Sequence, residues 1–162
     1  MIRYNKNLKG AILIELLFVM AIFIITIVSL LSIMNLSMRT AGDSRWNLQA
    51  NLLAREATGA VRNIRDKTDW DTDGLGTVTN GVDYHLVQSG SPIAWSLAIG
   101  TANIDNFTQS IVFSDALRDA NQNITGVGAV DVNTKIVTVT ISWQSGTQAE
   151  EIDVVSIITN LQ

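Results

Sequence analysis

The 162-residue chain has no cysteine, one proline and one histidine. Without cysteine there is neither a disulfide framework nor a thiolate metal site. With His85 as the only histidine, zinc lacks its usual donors. His85 sits beside Tyr84 in a strand-like stretch, where a lone histidine is more often a surface or satisfied residue than a ligand. No nucleophile-elbow Gly-x-Ser-x-Gly occurs, and no glycine loop suited to phosphate. The sequence carries no enzyme signature.

Charge is absent where length makes that informative. From Leu16 to Met34 there are 19 residues without a formal charge, and only Thr26, Ser29 and Ser32 are polar. At 1.5 Å per residue such a run is about long enough to cross the hydrocarbon core. Arg3, Lys6 and Lys9 precede it, which keeps the N-terminus cytoplasmic and sends the C-terminus out. The formal net charge is −4, but beyond residue 10 eight basic residues face fifteen acidic ones, a balance of −7. A basic tip on an acidic remainder argues against nucleic acid as a partner of the soluble part.

One acid stands at the head of the apolar run, in Lys9-Gly10-Ala11-Ile12-Leu13-Ile14-Glu15-Leu16-Leu17. A charged carboxylate inside a membrane costs roughly 2.5–3.5 kcal/mol on insertion scales, so Glu15 requires a partner. A cleaved signal peptide explains the basic flank, but its apolar region should be about 7–15 residues. Its nearest small-residue site, Thr40-Ala41-Gly42, comes late. A plain single-pass anchor explains length and orientation and leaves Glu15 unexplained. A cut after Gly10 explains all three. Ala11 then carries a free α-amino group, and Glu15 lies one helical turn away on the same face. That amine, in the same chain or a neighbour, supplies the cation a carboxylate needs in low dielectric. A glycine before the cut also eases the extended backbone a peptidase requires.

Lys9-Gly10 followed by Ala11-Ile-Leu-Ile-Glu15-Leu-Leu and a long apolar helix resembles the class III leader of type IV pilins and pseudopilins, most closely the minor ones. The resemblance implies a prepilin peptidase that cuts after Gly10 and methylates the amine of Ala11. It implies that Glu15 guides assembly. It further implies partners: other pilin or pseudopilin subunits, an inner-membrane assembly platform, and membrane lipid before assembly. Two features depart from the family pattern. Ala11 stands where Phe or Met is usual, and the membrane segment lacks the common bending proline, which implies a straighter helix.

After Met34 the composition turns polar while helical period persists. Trp46, Ala50, Leu53, Ala57, Val61 and Ile64 recur at steps of three and four, an amphipathic stripe that fits packing on a head domain. Gly42 and Gly59 each weaken this helix by about 1 kcal/mol, and Gly42, near the membrane exit, is the expected bend. Asp69-Trp-Asp71-Thr-Asp73-Gly74 then ends the helix. Spaced acids before a glycine are the first half of a calcium loop, with Asp69, Asp71 and Asp73 as candidate ligands. The second half fails, because the twelfth position is Asn80 and not Glu. The alternative is a turn in which Asp side chains accept from backbone amides.

Beyond residue 80 the period changes to two. Residues 82–88 and 93–99 read as strands split by a turn at Ser89-Gly-Ser-Pro92, and 109–113 as a short third. In Lys135–Trp143, Val137, Val139, Ile141 and Trp143 share one face, with Thr138, Thr140 and Ser142 on the other. Gln144-Ser-Gly-Thr147 is a turn, and 151–159 returns as a strand. Trp70, Trp95 and Trp143 are either core residues or a carbohydrate-binding surface, with at least Trp95 and Trp143 placed in the core. The helix stripe is the available cover for the sheet. The last two strands resemble the C-terminal ends of minor pilins and pseudopilins.

The expected fold is α+β, a long N-terminal helix on a small antiparallel β head. It divides into a leader (1–10), a membrane and assembly helix (11–36), an amphipathic helix (37–67) and the head (68–162). The expected function is that of a structural subunit of a type IV pilus, or of a secretion or competence pseudopilus. The subunit is held in the plasma membrane with its head exported, then transferred to a filament. The alternative is a single-pass membrane-anchored binding module or adhesin that does not polymerise. A tip subunit that binds a surface or DNA is a variant of the first, and the acidic charge argues against direct DNA capture.

Overall fold

Sixty-one residues, Asn7–Lys67, form one helix, α1, in the computed structural model, which describes residues 7–90 and 92–161. Gly10, the last residue of the expected leader, lies inside the helix. One glycine costs about 1 kcal/mol, and the long run of good helix formers after it overrides that cost. The helix also runs unbroken through Gly42 and Gly59.

The chain divides into two compact units between Arg45 and Trp46. In the first, residues 10–41 are all exposed. It contains the one stretch among the described residues that is long and apolar enough to cross a membrane. The hydroxyls within its apolar run are satisfied locally. The hydroxyls of Thr26, Ser29 and Ser32 donate to the carbonyls of Phe23 (2.7 Å), Ile25 (2.8 Å) and Val28 (2.9 Å). They therefore present no unmet hydrogen bond to an apolar solvent.

The second unit has the core. Ala50, Ala54, Ala57, Ala60, Val61 and Ile64 form the buried stripe of α1, with Trp46 and Leu53 partly buried beside it. Ala54 and Ala60 widen the stripe expected from the sequence. It covers an antiparallel sheet of β1 (Asp83–Ser89), β2 (Ala94–Ile99), β3 (Ala102–Ile104), β4 (Phe107–Arg118), β5 (Ile124–Thr125), β6 (Ala129–Ser145) and β7 (Gln148–Thr159). The order is β2-β1-β4-β6-β7, with β3 and β5 also paired to β4.

The centre of the sheet is the β4–β6 pair. Phe107 opposes Trp143, Gln109 opposes Ile141, Ile111 opposes Val139 and Phe113 opposes Val137, and all eight are buried under the helix. The sequence suggested only a five-residue strand at 109–113, whereas β4 has 12 residues. Its pattern is interrupted by Gln109, whose Oε1 accepts the Leu86 amide (3.2 Å) and so is satisfied inside the core. The β6–β7 hairpin turns on Gly146 and Thr147, with Gly146 at φ 63°. Only the first of these two residues has positive φ, the type II′ pattern that suits two-residue hairpins.

Ring contacts fix the direction of the strands. Trp46 meets Phe107 at 5.5 Å between centroids, and Phe107 meets Trp143 at 5.8 Å. At the other end, Trp70 Nε1 donates to the carbonyl of Val132 (3.1 Å). So β6 runs from the C-terminal end of α1 back toward Trp46, and β7, antiparallel to β6, runs along α1 in the same sense. Val132 belongs to a bulge. Asp115 pairs with Lys135 and Ala116 with Asp131, which leaves Val132, Asn133 and Thr134 unmatched on β4. Gly76 closes over Trp70, because a Cβ there would lie 2.6 Å from Trp70 Cδ1.

Candidate functional site

Gly10, Ala11 and Glu15 all lie on α1 and are exposed. The helical path puts Glu15 one turn beyond Ala11 on the same side of the cylinder. Among the described residues no cation pairs with Glu15. Glu15 therefore stands as an exposed carboxylate on the apolar surface of the first unit. A Cβ at Gly10 would meet nothing within 4 Å, so the glycine is not needed for packing in this unit. Local unwinding at this weak helical residue would be required before any peptidase could reach the bond.

The acidic loop after α1 uses its carboxylates on itself. Asp69 Oδ1 accepts from the amides of Asp71 (3.0 Å) and Thr72 (3.2 Å), and Asp73 Oδ1 accepts from the amide of Asp69 (2.9 Å). Gly74 is required by close approach, since a Cβ there would lie 2.5 Å from the carbonyl oxygen of Asp69. This is the self-capped turn. Asp69, Asp71 and Asp73 are not gathered as a ligand set, and among the described residues no three acids or histidines are placed to hold a metal ion.

The polar end of the sheet was not visible in the sequence. Lys135 is only 6% exposed and shares the inner face with Val137. Its Nζ donates to Asp115 Oδ1 (2.7 Å) and to Asn80 Oδ1 (3.0 Å). Hydrogen bonds to Asp115, from Lys135 first and from the Asn80 side chain second, hold its carboxyl below the usual aspartate range. Beside them Arg118 Nε donates to Asp131 (2.6 Å), whose pKa is lowered by Thr134 and then by Arg118. Asp119 is lowered by accepting from Asn123. Asp115 and Asp131 tie β4 to β6, while Asp119 caps the loop that follows β4.

His85 is satisfied, with Nδ1 3.2 Å from the Gly100 carbonyl oxygen. Trp70 and Trp143 are buried in the core, and Trp95 packs against it, partly buried. Trp70 was the one of the three not placed in the core from the sequence. Its hydrogen bond to Val132, 62 residues away, is the reason, and nothing local signals it. The three rings form no shared binding surface. A groove of about 690 Å³ lies between Trp46, Leu52 and Glu56 of α1 and the β3–β4 turn at Asp105.

No protein-family model, curated protein or solved structure matches the chain.

Proposed function

We propose that the chain is a structural subunit of a filament of the type IV pilus or pseudopilus class, cut after Gly10 by a prepilin peptidase. It is stored in the membrane through the apolar half of α1, and its head lies on the exported side. The cut turns the Gly10–Ala11 amide into a free α-amine, which is methylated and remains cationic. That amine pairs with the Glu15 carboxylate of a neighbouring chain and sets the axial register of two packed helices. Apolar helix surfaces then exchange lipid for one another as the filament grows.

The observation that carries this proposal is Glu15 on the apolar part of α1, one helical turn after Ala11 of the Gly-Ala bond and with no ion-pair partner among the described residues. A lone intramembrane carboxylate is expensive, and one that pairs on assembly turns that cost into specificity. The α+β architecture of one long helix on an antiparallel sheet is consistent with it.

The test is Glu15→Ala in cells that process the protein. Cleavage after Gly10 should continue, while recovery in sheared filaments should fall at least tenfold. Normal incorporation of the variant would remove Glu15 from the mechanism.

A further inference from the structure

The head is strongly acidic. Residues 68–162 hold eleven acids and two bases, and both bases, Arg118 and Lys135, are already in ion pairs. The uncompensated acids include Glu151 and Asp153 on β7, the edge strand. On β7 the side chains alternate. Ile152, Val154 and Ile158 face the core, while Glu151, Asp153, Val155 and Ile157 face outward and are exposed.

The outer side of α1 in the same unit carries two arginines, Arg55 and Arg62, and its next residue in the stripe, Asp66, is ion-paired with Arg65. Leu48, Leu52, Arg55, Gly59 and Arg62 follow one another at steps of four and three and are all exposed. They form one continuous stripe on the side away from the alanines. Leu48 is 62% exposed and Leu52 57%. Arg55 and Arg62 join none of the fold's ion pairs among the described residues. Between them stands Gly59, where a Cβ would meet nothing within 4 Å. Its own fold gives this helix-weakening glycine no purpose, whereas a missing side chain permits close approach by another chain.

We infer that the stripe containing Arg55, Gly59 and Arg62 docks on the outer face of β7 of a second copy of this chain, with the two arginines against Glu151 and Asp153. The two surfaces lie on opposite sides of one head, so the contact is heterologous and repeats without closing on itself, as a filament requires. The inference rests on the proposed function for one point: copies held in one membrane share an orientation. Within a head, β7 runs along α1 in the same sense, and Glu150 pairs with Trp143 near the level of Trp46. Strand and helix rises place Glu151 and Asp153 near the level of residue 50, and the arginine pair about 12 Å further along the helix. The second copy is therefore displaced by about that distance toward the C-terminal end of α1.

The absence of native cysteine makes the test clean. The full chain carrying both Arg62→Cys and Asp153→Cys, oxidised mildly in membranes, should give a ladder of dimers, trimers and higher species. Arg62→Cys with Glu150→Cys, on the inward-facing side of β7, should crosslink at least tenfold less. In separate pairs at flanking positions, charge reversal of Arg55 should weaken the ladder, and reversal of Glu151, which the same register brings level with it, should restore it in the same chain. Gly59→Leu should suppress it while leaving the thermal midpoint of the head unchanged or higher, an outcome a purely structural glycine does not give. A monomer band alone, or a ladder equal for both cysteine pairs, overturns the contact. The mass of the N-terminus in the same samples separates the failures. A chain cut after Gly10 with no ladder refutes only this contact, and an uncut chain with no ladder refutes the filament function with it.

Discussion

The two halves of α1 have the same secondary structure and opposite surroundings. Residues 10–41 are uniformly exposed and rich in Ile, Leu and Phe, whereas the stripe from Ala50 to Ile64 is buried and mostly alanine. Hydropathy separates them, since the charge-free run ends at Met34 and charged residues recur from Arg39 onward. Side-chain size separates them as well. A helix that will face lipid or other helices can present bulky side chains all round. One that must lie close on Phe107, Ile111, Val139 and Ile141 needs small ones at the contact. The difference shows that one continuous helix is built for two solvents, the second of which is a β-sheet of its own chain.

The largest break in that comparison comes at the junction that pins the buried half. Trp70→Ala removes a buried ring and its hydrogen bond to Val132, and should cost about 3–5 kcal/mol of head stability. Denaturant unfolding of the full chain in detergent, followed by tryptophan fluorescence, reads this directly.

A smaller effect sharpens the contrast between the halves. Ala54→Leu overfills the helix–sheet contact and should cost about 1–3 kcal/mol. Ala21→Leu, in the exposed apolar half, should change head stability by less than about 0.5 kcal/mol. Equal effects in the same unfolding assay would mean the two halves are not in different surroundings.

The smallest effect concerns the polar end of the sheet. Asp115 has a depressed pKa in the folded state, so its contribution is present above the ordinary aspartate value and is lost as pH falls through the folded one. Stability should drop below about pH 4, and Asp115→Asn should flatten that drop while lowering the neutral-pH stability by about 1 kcal/mol. The pH dependence of the melting midpoint, compared between the two proteins, measures it.

The fold was legible where one signal dominated. The charge-free run, the three- and four-residue spacing from Trp46 to Ile64 and the alternation from Val137 to Trp143 each carry their own period. Legibility failed where long-range partners decide the outcome. β4 looked short because Gln109 interrupts its apolar pattern and is satisfied by Leu86. Asp115 and Lys135 are 20 residues apart, and only the strand pairing brings them together. The bulge at Val132–Thr134 has Asp131 and Asn133 as its only local signal, set inside a long strand-like run, and Trp70 reaches it from the end of the helix. At the leader, sequence supplied the residue spacing, and the structure contributes the exposed, helical setting of Glu15.

The central claim is that the bond after Gly10 is cut to create the partner of Glu15. Intact mass and N-terminal peptide mapping of the protein, purified from the membranes and filaments of its own cells, test it most directly. The account predicts a chain beginning at Ala11 with one methyl group on its α-amine. A chain that retains residues 1–10, or one cut instead near Ala41, would contradict it.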